Sequence, residues 1–225
     1  MEQFNSVVAQ YYPNATSEAL FVANGLQQLD QLGFGRKNTI VHILACRDHL
    51  THTLHARLSE AWGSATHHAT VGGCVLASTV NHLVESAATV DNPSYLFIVL
   101  GHIGFDSAAN CTDLHTIQRE YARMRTRWIE QLEVDDELAD LRQQLAPHLQ
   151  ELNPSLIEMT FSAHNATCDA LQHQINDGEL ANTNYAVLSG IQLNGNDDRS
   201  LIWPGLGYAV VDGQRHALEL DLEFA

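Results

Sequence analysis

Two short segments of this chain carry residue types able to do chemistry together: Cys46-Arg47-Asp48 and Gly101-His102-Ile103-Gly104. A thiolate and an imidazole can share a zinc ion, since soft sulfur and borderline nitrogen both suit it. A catalytic zinc takes three protein ligands and keeps a fourth position open, so one more Cys or His must come from another element. Cys168 in HNATCDAL, Cys111 in NCTDLH and Cys74 in GGCVLAS all compete for that place. Spacing alone leaves the choice open and slightly favours Cys111, the nearest to His102. Each residue also has a plainer reading. A buried cysteine at a strand end is commonly a small apolar filler, His102 could be a core or dimer-interface histidine, and Asp48 could cap the helix that follows.

The elements around these segments give them a reason to meet. Asn38 to Ala45 (NTIVHILA) is a short, β-branched apolar run that reads as a buried parallel strand ending at Cys46. Tyr95 to Leu100 (YLFIVL) is the clearest strand of the chain and runs into Gly101-His102. In open α/β sheets, ligands bind beyond the carboxyl ends of the strands. Ser17 to Leu32 has apolar residues at helical spacing, with Ser17 as N-cap and Gly33 and Gly35 closing it. Helices are also predicted over 49–62, 116–132, 135–149 and 166–175. Gly72-Gly73 reads as a turn where the backbone approaches something closely. Strands are predicted at 185–193, 207–211 and 216–224, separated by Asn-Gly and Asp-Gly turns. Strands alternating with helices imply a single α/β domain over 1–225. Its expected form is a central, mainly parallel sheet flanked by helices, with a helical segment over 1–37. The C-terminal strands extend the sheet antiparallel or form an edge hairpin.

Composition narrows the class. A formal charge of -16 argues against nucleic acid and anionic membranes, because phosphate binding needs a basic surface. No apolar run reaches the roughly 18 residues of a membrane span, and the N-terminus lacks the pattern of a secretory signal. The expected location is the cytoplasm, or an organelle lumen if a transit peptide has been removed. Four cysteines without CxxC spacing fit reduced thiols, some of them metal ligands, rather than a disulfide framework. Thirteen histidines raise the expectation of a metal site without locating it.

The two segments resemble those of β-type carbonic anhydrases, which carry Cys-x-Asp-x-Arg after the first core strand and later a strand ending in Gly-His-x-x-Cys. Here Leu50 stands at the arginine and Phe105 at the second cysteine. Both departures are similar to the limiting-CO2-inducible B/C branch. That branch has Cys-Arg-Asp, a Gly-Gly segment, a strand ending in His-Ile-Gly, a late cysteine among small residues and a strand like Gly-Ile-Gln-Ile-Asn. This chain offers CRD at 46–48, GG at 72–73, HIG at 102–104, ATCDA at 166–170 and GIQLN at 190–194, in the same order. Two differences stand out. Ala87-Ala88-Thr89-Val90-Asp91 lies near the position of the family's His-His-Val-Pro-Asp, and Asp169 replaces a Gly.

The resemblance implies a β-carbonic-anhydrase-like fold and one zinc held by Cys46, His102 and Cys168, so it selects Cys168 over Cys111. It implies reversible hydration of carbon dioxide to bicarbonate by a zinc-bound hydroxide. Asp48 would accept a proton or hydrogen bond from the zinc water, Arg47 would orient Asp48, and Gly72 and Gly73 would line the substrate pocket. It also implies a homodimer. The missing histidines leave a second reading, a silent zinc- or bicarbonate-binding relative serving as sensor or assembly subunit. A third, outside the family, is a hydrolase or redox enzyme with Cys46 as nucleophile.

Overall fold

The computed structural model describes residues 2–46, 52–63, 65–70, 92–105, 156–177, 180, 183–195 and 200–220. Helix α1 (Glu2–Tyr11) is followed by the two-residue strand β1 (Thr16–Ser17) and by α2 (Glu18–Gln31). The Ser17 hydroxyl caps α2 by accepting the Leu20 N–H at 3.2 Å, which satisfies one of the amides that a helix start leaves unpaired. Next come β2 (Thr39–Cys46), α3 (His52–Trp62), β3 (Ala65–Thr70) and β4 (Ser94–Gly104). The long α4 (Leu156–Asp177) then leads into β5 (Tyr185–Asn194), β6 (Ser200–Val211) and β7 (Gln214–Ala217). No described helix is long and apolar enough to cross a membrane.

These seven strands form one sheet in the order β1-β6-β5-β4-β2-β3, with β7 paired to β6. β3, β2, β4 and β5 are parallel neighbours, whereas β6 is antiparallel to β5, and β1 and β7 are antiparallel to β6. Helices cover both faces, so the central strands are apolar on both sides. Leu96, Ile98 and Leu100 of β4 pack with Phe21 and Leu29 of α2 and with Leu54 and Leu58 of α3. The alternate residues Tyr95, Phe97 and Val99 pack with Leu171 and Ile175 of α4. Further along, Ile103 and Phe105 meet Phe4 and Val8 of α1.

The polar sequence of β3 hid it: the strand was not expected there. It is held in place by its histidines as well as by its ladder to β2. His68 lies 3.1 Å from the buried His42 of β2, and on the other face His67 lies 3.1 Å from Ser59 of α3. The helix expected over 166–175 starts ten residues earlier, at Leu156. Of the strand expected over 216–224, the described residues show β7 over Gln214–Ala217 and no strand over 218–220. The Asp212-Gly213 turn has φ of 50° and 76°, both positive, as a two-residue hairpin turn requires. It therefore sets the register of β6 with β7. The helices expected over 116–132 and 135–149 lie outside the described residues.

Candidate metal centre

The chain leaves β2 through α3 toward β3 on one side, and leaves β4 toward β5 on the other. The sheet therefore reverses its winding between β2 and β4, and the carboxyl ends of those two strands flank the switch point. In open α/β sheets, that crevice is where ligands bind. Cys46 is the last residue of β2. Ala45 is opposite Leu100, so Cys46 comes level with Gly101, one residue before His102. Cys46 thus stands at the end of β2, and His102 lies two residues before the end of the adjacent β4. Arg47, Asp48, Gly72, Gly73, Cys74 and Cys111 lie outside the described residues.

Cys168 comes from α4, which packs across β4 and β5. Its Sγ lies 3.8 Å from Nε2 of His164, one helical turn earlier. Burial pushes the Cys168 thiol up to about 11, while a hydrogen bond from Ser189 pulls the other way and Asp169 adds slightly to the rise. Burial also drives His164 down to about 4, so its imidazole is neutral. Nδ1 of His164 has no hydrogen-bond partner among the described residues. The Trp203 ring stands edge-on to His164, with centroids 6.3 Å apart.

The strands leave room for this cluster. A Cβ on Gly205 would fall 2.7 Å from Ser189 Oγ and 2.8 Å from His164 Nε2, so only glycine allows β6 to pass there. The register between β5 and β6 shifts between Leu188 and Gly190, and Ser189 sits at that irregularity. Its hydroxyl accepts the Leu206 N–H at 2.7 Å, an amide that the shift removes from the regular ladder.

His102 pairs with Gln192 on β5. Gly101 faces His164, and Ile103 packs against the α1 cluster. Strand alternation therefore turns His102 to the opposite face, that of Gln192. Cys168, packed with the Tyr95, Phe97 and Val99 cluster, and His102 therefore lie on opposite faces of the sheet. On the His102 face, Gln192 donates to the buried Glu18 at 2.8 Å, and Glu18 pairs with Arg57 at 3.2 Å. Sequence reasoning missed His164, Ser189 and Glu18. The His-x-x-x-Cys spacing of HNATC was the available signal for His164, but it becomes one helical face only once α4 extends back past residue 164.

No described set of three or more His, Cys, Asp and Glu side chains converges on one metal position. Cys168 and His164 are donors of the types that zinc takes, but the described donors do not converge: His102 lies on the other face of the sheet from Cys168, and the unpaired nitrogen of His164 is Nδ1, not the Nε2 that faces the sulfur.

A doubly wound α/β sheet with thiol and imidazole donors near one switch point defines the class of protein. The family model for limiting CO2-inducible proteins B/C, β-carbonic anhydrases, matches residues 15–211, and the chain belongs to that family. The crystal structure of the limiting CO2-inducible protein LCIB is similar at a TM-score of 0.75 and 23% identity, covering 96% of this chain and 98% of that one. PtLCIB4, a homolog of LCIB, is similar at a TM-score of 0.72 and 17% identity, with 95% and 98% covered. At these identities the likeness establishes the fold, a mixed α/β sheet with a parallel core flanked by helices. No curated protein sequence matches the chain closely enough to count.

Proposed function

We propose that this chain catalyses the zinc-dependent, reversible hydration of carbon dioxide to bicarbonate. One observation supports the reading: in a chain of the β-carbonic-anhydrase family, Cys46 is the last residue of β2 and His102 lies two residues before the end of β4, on the two strands that flank the switch point. Cys46, His102 and Cys168 are the residues proposed to hold zinc. When bound, zinc supplies a Lewis acid that brings the acidity of a water near neutrality.

The remaining roles belong to the chain. The Asp48 carboxylate accepts the proton or hydrogen bond of the attacking water. The Arg47 guanidinium orients that carboxylate through paired N–H donors. The Gly72-Gly73 backbone lines the place of carbon dioxide, whose carbon takes the water oxygen, giving bicarbonate and releasing one proton. The functional unit is proposed to be a homodimer.

Zinc content and stopped-flow carbon dioxide hydration, measured on the same preparation, test the proposal. About one zinc per chain with hydration above the buffer rate is expected. Cys46→Ser should lose the metal, because an alcohol is rarely ionised near neutral pH and binds a borderline-soft ion poorly. A zinc-loaded protein no faster than buffer would refute the catalytic reading and leave a binding protein.

A further inference from the structure

β3 is the outermost strand of the described sheet, where it pairs with β2. Its sequence, Ala-Thr-His-His-Ala-Thr, holds no large apolar side chain, and Ala65 packs only partly buried against the core. Little hydrophobic burial therefore fastens it. Besides the ladder to β2, a histidine on each face joins it to its neighbours. On the α3 face, the exposed His67 lies 3.1 Å from the Ser59 hydroxyl, and the His55 ring stands beside it with centroids 5.0 Å apart. On the α4 face, the half-buried His68 places its Nε2 3.1 Å from Nδ1 of the fully buried His42.

The His42–His68 pair favours one arrangement of protons. Nε2 of His42 is buried without a hydrogen-bond partner, and a buried donor left unmade is costly. The proton of neutral His42 therefore sits on Nδ1 and is donated to Nε2 of His68. A proton added at Nε2 of His68 would set two N–H groups against each other, or drive the His42 proton to Nε2, where no acceptor waits. A proton added to His42 itself meets the same lack of an acceptor. Burial first, and His68 second, accordingly lower His42 from 6.5 to about 4. The other titratable ring beside it is Tyr95 of β4, with centroids 6.5 Å apart. To the cluster of Tyr95 and Phe97, α4 contributes Leu171, Ile175 and the Cys168 thiol, which burial keeps protonated. The α3 face behaves differently. His67 is exposed and the Ser59 hydroxyl can turn to accept, so His67 takes a proton in place. The charged residues of α3 are Arg57, paired with Glu18, and the exposed Glu60.

We propose that β3 is an acid-released edge strand: the His42–His68 hydrogen bond fastens it to the sheet while both imidazoles are neutral, and proton uptake by the pair lets it leave β2. Above about 6.5 both rings are neutral whether β3 is docked or free, and docking has no pH dependence. As the pH falls below that value, the freed rings bind protons that the docked pair refuses, so docking weakens. The weakening continues down to about 4, where His42 takes a proton in place. β3 ends two residues before Gly72, so the strand that leaves runs directly into the segment proposed above to line the place of carbon dioxide. The release itself is independent of that proposal and of any metal.

Hydrogen–deuterium exchange of the full chain tests this, read by mass spectrometry from about pH 7 to about pH 5 and corrected for the intrinsic pH dependence of exchange. The open population of β3 should rise about 10- to 100-fold per pH unit below about 6.5, according to whether one or both rings take up a proton. β4 and β5 should keep their protection, and β3 should regain its own when the pH is raised. His68→Gln can still accept from His42 but cannot titrate, so its slope should fall to about tenfold per pH unit or less. His42→Phe should be nearly flat, because His68 can then take a proton while docked. If His42→Phe does not fold, His68→Gln keeps the test open. His67→Gln should keep the wild-type slope. Constant protection of β3 across this range, or protection lost only together with that of β4 and β5, would overturn the proposal. A wild-type slope in His68→Gln would overturn it as well, and so would a slope in His67→Gln as flat as in His42→Phe.

Discussion

Lowering the pH from about 7 to about 4 is predicted to cost the native state about 3 kcal/mol at His42 alone. His42 is fully buried on β2, its Nδ1 lies 3.1 Å from His68 Nε2, and its ring stacks on Phe97 with centroids 5.6 Å apart. Burial first, and His68 second, lower it from 6.5 to about 4. Above 6.5 the residue is neutral in both states and contributes no pH dependence. Between 6.5 and about 4 the unfolded chain binds a proton that the folded chain refuses, so stability falls as pH falls. Below about 4 both states are protonated and the loss is complete. At about 1.36 kcal/mol per pKa unit, the loss is about 3 kcal/mol, against a typical total of about 5–15 kcal/mol. Urea unfolding of wild type and His42→Phe at stepped pH isolates the effect, since phenylalanine keeps an aromatic ring and cannot titrate. The stability difference between the two proteins should shift by about 3 kcal/mol in favour of the variant across that window. Parallel pH profiles would refute the reasoning, because the buried pair would then not be the group that refuses the proton.

Gly205→Ala should destabilise by about 1–3 kcal/mol in urea or thermal unfolding, as its Cβ would overlap Ser189 and His164, whereas Gly101→Ala should cost less than about 1 kcal/mol. Glu18→Ala should cost about 1–3 kcal/mol by the same assays, because it removes the buried acceptor of Gln192 and the ion-pair partner of Arg57. Asp48→Asn should retain zinc in metal analysis but lose most carbon dioxide hydration in stopped flow, because an amide neither takes up the proton nor carries the compensating charge. Full activity in that variant would remove the role proposed for Asp48.

Much of the parallel core was legible in the sequence. The β-branched and aromatic runs of β2, β4 and β5 are buried on both faces, so their apolar character is continuous and hard to mistake. Cys46 and His102 were placed by the ends of those runs, and the order of five short motifs pointed to the family. β3 was not legible, because Thr66, His67 and His68 look like a loop until His42 and Ser59 are brought to either side of them. The first half of α4 was missed for a related reason: Thr160 and His164 are polar yet buried. Their burial depends on residues distant in the chain. The sequence by itself determined which strands are central and which residues stand at their carboxyl ends, since both follow from local hydrophobic runs. The tertiary structure alone decided that Cys168 meets His164 and Ser189 while His102 turns to the face of Gln192 and Glu18. Those contacts join β4, α4, β5 and β6 through strand register and helix packing, and no local pattern in the chain specifies either.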